Sequence, residues 1–67
     1  MILKDKRQRL SLTTSEIAEI VGVSEATISY YENYKRFPLL NKLTTIQMAY
    51  RLSDEELLEY IKKCNDK

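Results

Sequence analysis

Histidine is absent from this 67-residue chain, and cysteine, glycine and proline occur once each. Each shortage removes a class of protein. Without histidine, the commonest general base at neutral pH is missing. With no histidine and one cysteine, a structural zinc site lacks its usual ligands. Cys64 has no second cysteine to pair with, which fits a reducing, cytoplasmic setting and reads as an idle surface thiol. One glycine and one proline leave little room for hairpin turns, and Leu, Glu, Lys, Arg and Ala fill the remaining stretches, so the class is all-α. No apolar run approaches the ~20 residues of a membrane span. The opening MILKDKRQRL lacks the apolar stretch of a signal peptide. No phosphate-cradling glycine loop is written anywhere. The expectation is a non-enzymatic domain without metal, cofactor or small-molecule ligand and with no membrane association.

What is present suffices for one compact domain over residues 1–67, since 43% of the chain is hydrophobic. A chain this short buries only roughly 60% of its unfolded surface, so the core must be small. The formal charge is +1, and bulk charge therefore announces no polyanionic partner. Its distribution is uneven. Lys4, Lys6, Arg7 and Arg9 lie near the start, Lys35 and Arg36 near the middle, and Asp54, Glu55, Glu56 and Glu59 near the end. Taken alone, such runs read first as solvated helix faces.

Helix starts are written consistently. In LTTSEI, Thr13 and Glu16 form a capping box with Leu12 and Ile17 as its hydrophobic staple. LSDEEL repeats the arrangement with Ser53 and Glu56, and with Leu52 and Leu57. In VSEATI, Ser24 caps, Val23 and Ile28 staple, and Thr27 replaces the glutamate. Apolar spacing adds a first helix carrying Leu3, Arg7 and Leu10 on one face, and a fourth carrying Leu43, Ile46 and Tyr50. The predicted helices are 2–10, 14–21, 25–33, 40–51 and 54–63, a compact five-helix bundle.

The glycine falls between the second and third of these. Gly22 can take a positive φ, and VGVS makes a turn of about three residues between helices that bury Ile17, Ala18 and Val21 on one side and Ile28 and Tyr31 on the other. A short corner of this kind is either an ordinary bend in a bundle or a helix-turn-helix, whose second helix enters the major groove of DNA. Residues 12–33, LTTSEIAEIVGVSEATISYYEN, resemble the core motif of the lambda-repressor and Cro-type helix-turn-helix family. The matching positions are Leu12, Thr13, Ile17, Ala18, Gly22, Val23, Ser24, Ile28, Ser29, Glu32 and Asn33, with Arg7 at the family's first-helix arginine. Pro38, Leu43, Ala49 and Leu52 resemble its following segment. Two positions depart: Thr14 stands where many relatives have glutamine, and Tyr34 where a glycine usually follows the Glu-Asn pair.

The resemblance implies residue roles. Arg7 and Glu32 would form a structural ion pair. Glu25, Ala26, Ser29 and Tyr30 would lie nearest the base edges. Glu25 would either accept a hydrogen bond from a cytosine amino group or serve only the helix dipole, and both readings stand. Phosphate contacts would come from Thr14, Thr27, Asn33, Lys35 and Arg36, which position without reading sequence. In the last helix, Leu57, Leu58, Tyr60 and Ile61 spread over a wide arc, and what does not pack inward could join a second copy, as small readers bind two half-sites as symmetric dimers. The functional expectation is a sequence-specific transcriptional regulator of double-stranded DNA, a Cro-like or phage- or plasmid-type repressor. The alternative is a protein-binding module of the same fold, antirepressor-like or antitoxin-like, which the modest net charge and Glu25 favour.

Overall fold

A computed structural model of the chain describes residues 2–65. Five helices follow in order: α1 Ile2–Arg9, α2 Thr14–Val21, α3 Glu25–Glu32, α4 Leu40–Tyr50 and α5 Asp54–Asn65. All five starts stand where the sequence places them; the end of α2 does too, and the other four ends differ by one or two residues. The starts of α2, α3 and α5 are fixed by side-chain caps, whereas ends are set by backbone geometry that composition does not reveal.

The caps are explicit. Glu16 N–H donates to Thr13 Oγ1 at 3.1 Å, and Thr13 N–H donates back to Glu16 Oε1 at 2.9 Å. Ser53 and Glu56 repeat both bonds at 3.1 and 2.9 Å. In α3 the Ser24 hydroxyl accepts from Thr27 N–H at 3.1 Å and shares a second bond of 2.9 Å with the Thr27 hydroxyl. Each such cap contributes about 1 kcal/mol. Helix α4 starts differently. Leu39 offers no side-chain cap, and the helix follows buried Pro38 in extended backbone.

Among the described residues, four take a left-handed conformation: Ser11 (φ 58°), Gly22 (φ 84°), Tyr34 (φ 58°) and Arg51 (φ 55°). Each follows the last turn of one of the helices α1 to α4. The carbonyls left open there are closed by Leu12 N–H to Arg7 O (3.1 Å), Val23 N–H to Ala18 O (3.0 Å), Lys35 N–H to Tyr30 O (2.8 Å) and Leu52 N–H to Gln47 O (2.9 Å). Gly22 adopts this conformation without strain. The other three carry a Cβ into it, at roughly 1–2 kcal/mol each. Tyr34 stands where a glycine usually follows the Glu-Asn pair in the family, and its positive φ gives the physical reason for a glycine there.

The core is one cluster of Leu3, Ile17, Ala18, Val21, Ile28, Tyr31, Ile46, Tyr50, Leu52 and Tyr60. Helix α2 packs on α3 and α4, while α1 packs on α3, α4 and α5. The last helix is held to the first by Lys6 Nζ and Glu56 Oε1 at 3.2 Å as well as by apolar contact. Its apolar arc is largely consumed inside the chain. Tyr60, expected at a dimer interface, is 0% exposed and donates its hydroxyl to Tyr31 O at 2.9 Å, so it offers no surface to a partner. Leu57 packs against the core and Ile61 is half-buried, leaving Leu58 as the exposed apolar residue of α5. Cys64 is not a surface thiol but a half-buried one, packed against the same cluster.

Candidate nucleic-acid interface

The site is built around α3, beginning at the corner that precedes it. Gly22 N–H and Val23 N–H both donate to Ala18 O, at 2.8 and 3.0 Å, which closes α2 and turns the chain within two residues of the α3 cap at Ser24. Lys42 of α4 donates to Val21 O at 3.2 Å, fastening α4 to the same corner.

The inner face of α3 is Ile28, Tyr31 and Glu32. Glu32 is a charged residue with 4% exposure, and a carboxylate so placed requires several donors. Arg7 of α1 supplies two, Nε to Oε2 at 2.8 Å and Nη2 to Oε1 at 3.2 Å, in a bidentate fork. Tyr50 of α4 supplies a third through its hydroxyl, at 3.0 Å to Oε2. Arg7 Nη1 also donates to Leu12 O at 3.1 Å, just before α2. One carboxylate thus ties α3 to α1 and α4, and its arginine reaches the approach to α2. The hydrogen bond to Glu32 raises the Arg7 pKa, with burial opposing it. Burial, then Glu32, pushes the Tyr50 phenol well above its ordinary range, so it stays a donor. The resemblance named two members of this network. The third, Tyr50, shows in the sequence only as part of the apolar spacing of the fourth helix. The signal for it was a carboxylate on a helix face flanked by Ile28 and Tyr31, which one arginine does not satisfy.

The outer face of α3 carries Glu25, Ala26, Ser29 and Tyr30, with Asn33 at its C-cap, and all five are exposed. Several are pre-engaged. Thr14 Oγ1, at the first residue of α2, donates to Glu25 Oε1 at 3.3 Å, joining the first turns of the two helices. Asn33 turns its amide onto Ser29 O at 2.8 Å and Ser29 Oγ at 3.4 Å, closing the C-terminal turn. The Arg36 guanidinium lies over the Tyr30 ring, 5.1 Å from its centroid. Lys35 is exposed beside it. Thr27 is half-buried, with its hydroxyl on Ser24. The residues expected at bases and those expected at phosphates therefore meet in pairs, Thr14 with Glu25, Asn33 with Ser29 and Arg36 with Tyr30.

Two helices joined by a left-handed glycine, the second anchored inward by a buried ion pair and polar outward, define a helix-turn-helix domain. A family model described as helix-turn-helix matches residues 3–57, and the chain belongs to that lambda-repressor and Cro-type family. The family is a DNA-binding, non-enzymatic one, and membership supports a DNA-binding helix-turn-helix regulator. Comparison with curated proteins and with solved structures gives no match. Among the described residues, no helix is long and apolar enough to cross a membrane.

Proposed function

We propose that the protein is a small Cro-like repressor that lays α3 in the major groove of an operator, works in the cytoplasm and acts by excluding polymerase. The observation that carries this reading is the division of α3 into an inner face locked by Arg7, Glu32 and Tyr50 and an outer face of exposed polar side chains. In the bound state Ser29 and Tyr30 hydrogen-bond base edges, and Ala26 meets a thymine methyl. Glu25 accepts from a cytosine amino group. Its bond to Thr14 supports that role over a pure dipole role, because one oxygen is steadied while a carboxylate retains further acceptor sites. Thr14, Thr27, Asn33, Lys35 and Arg36 face the phosphates, and α2 adds its N-terminal amides. Two copies on a palindrome would read half-sites about 34 Å apart.

Selection of bound duplexes from a random pool tests the reading. A palindromic consensus is expected, with affinity falling steeply as salt rises, by a log–log slope of about −0.9 per phosphate neutralised. The alternative, a module that binds another regulator, is favoured by the net charge of +1. It requires that no duplex be selected and that affinity for DNA stay negligible even at low salt.

A further inference from the structure

The reading face holds one contact that neither helix packing nor capping accounts for. The Arg36 guanidinium lies over the Tyr30 ring, 5.1 Å from its centroid, although Arg36 belongs to the loop and Tyr30 to α3. The backbone makes the same closure. Lys35 N–H and Arg36 N–H both donate to Tyr30 O, at 2.8 and 3.4 Å. Tyr30 is thus gripped by the chain that follows it, through its carbonyl and through its ring. We propose that Arg36 is a positioning residue for base recognition: it holds the Tyr30 ring in one orientation toward the bases and links it to a phosphate. This rests on the operator reading above and adds to it a residue that acts on specificity through another.

The turn that brings Arg36 back gives Tyr34 a purpose. Tyr34 takes the left-handed conformation at φ 58°, where a glycine would be unstrained. Its ring centroid lies 5.8 Å from that of Tyr60, with the planes tilted by 35°. Tyr60 is itself fixed, buried and donating to Tyr31 O at 2.9 Å. A glycine would make the turn at lower cost but would bring no ring. Tyr34 therefore fastens the loop to α5, and the fastened loop sets Arg36 over Tyr30.

The chemistry of the pair suits this role. A guanidinium stacks with its planar face, which leaves the five N–H donors at its edge for a phosphate oxygen. Tyr30 is 44% exposed, and a long side chain on an open helix face has several staggered rotamers, of which a base edge reads one. An exposed cation–π contact favours the stacked rotamer by about two- to fivefold. The other polar side chains expected at bases are steadied too, Glu25 by Thr14 and Ser29 by Asn33. Arg36 completes that series for Tyr30.

Titration of the full chain with its selected duplex, and with duplexes changed at single base pairs, tests the proposal. Tyr30→Ala first identifies the base pair at which discrimination vanishes. Arg36→Lys keeps the charge but loses the plane. It should leave the salt slope unchanged and reduce discrimination at that same pair by about two- to fivefold. Lys35→Ala should do the reverse, shrinking the log–log slope by about 0.9 and sparing discrimination. In the Tyr30→Ala background, Arg36→Lys should cost no further affinity. Undiminished discrimination in Arg36→Lys, an equal loss of affinity with and without Tyr30, or the same loss of discrimination from Lys35→Ala overturns the proposal. Side-chain couplings of Tyr30 in the DNA-free chain, measured by NMR, give a second test. One χ1 state should predominate in the parent chain and give way to averaging in Arg36→Lys. A chain that selects a duplex with Tyr30 already averaged would defeat this proposal and leave the operator reading standing. A chain whose Tyr30 is held by Arg36 but which selects no duplex would defeat the operator reading, and the base-positioning role with it.

Discussion

The two faces of α3 obey different physics although they share eight residues. The inner face has its polar groups spoken for by three other parts of the chain, in contacts that are buried or partly buried. The outer face has partners too, but they are exposed: a threonine–carboxylate bond, an amide on a carbonyl, a guanidinium over a ring. The comparison teaches that α3's placement and its chemistry are separable. Substitutions inside should change whether the helix is there, and substitutions outside should change what it recognises.

The sharpest way to break that separation is Glu32→Ala. Removing one partner of a buried, hydrogen-bonded ion pair costs about 3–5 kcal/mol, and a domain of this length has roughly 3–10 kcal/mol to lose. Circular dichroism should show a chain largely unfolded at room temperature. A melting point lowered by only a few degrees would mean that the network is decoration. Gly22→Val ranks next, at roughly 1–3 kcal/mol, because a β-branched residue must adopt the left-handed corner. Space is not the obstacle. A Cβ there would meet Lys42 Nζ at an ordinary 3.6 Å, so Gly22→Asn should recover most of the loss in the same thermal melt. Equal melting points for valine and asparagine would show that backbone strain is not the cause.

Tyr60→Phe removes the hydroxyl that donates to Tyr31 O and should cost about 0.5–1.5 kcal/mol by denaturant titration. A related pH effect has a definite sign. Burial raises both the Tyr50 and Tyr60 phenols above their ordinary value, with Glu32 adding to the first and Cys64 to the second. A raised pKa in the folded chain contributes stability that is complete below the unfolded phenol value, near pH 10, and is lost as pH climbs above it. Tyrosinate absorbance from these two rings should therefore appear together with loss of helicity on alkaline titration. Ionisation of both rings at full helicity would contradict their burial.

The smallest effect on stability is expected on the outer face. Ser29→Ala and Tyr30→Ala should stay within about 0.5 kcal/mol in melting experiments. Operator affinity should nevertheless fall by an amount on the order of 1–3 kcal/mol per lost base contact in a gel-shift titration. Unchanged affinity would move the reading surface away from α3.

How much of this was legible beforehand follows the same division between local and distant causes. The caps at Thr13, Ser24 and Ser53 are neighbours in sequence of the amides they serve, and the helix starts could be read directly. The family resemblance supplied Arg7 and Glu32, which are 25 positions apart and which no local pattern links. The burial of Tyr60 is not legible, because helical spacing defines an apolar arc without saying how much of it the rest of the chain covers. The bond between Thr14 and Glu25 is hidden for a similar reason: it joins residues 11 positions apart on two helices, and no local pattern pairs them.

The left-handed turns at Ser11 and Arg51 have a consequence of their own. Both residues are exposed, and neither has a role in the proposed reading face. A hardier form of the protein therefore lies one replacement away at either site, asparagine or glycine for the present residue, with no foreseeable change in target choice. Thermal tolerance and specificity can drift independently in this chain, because the unrelieved tension sits at its elbows and the information sits on one helix.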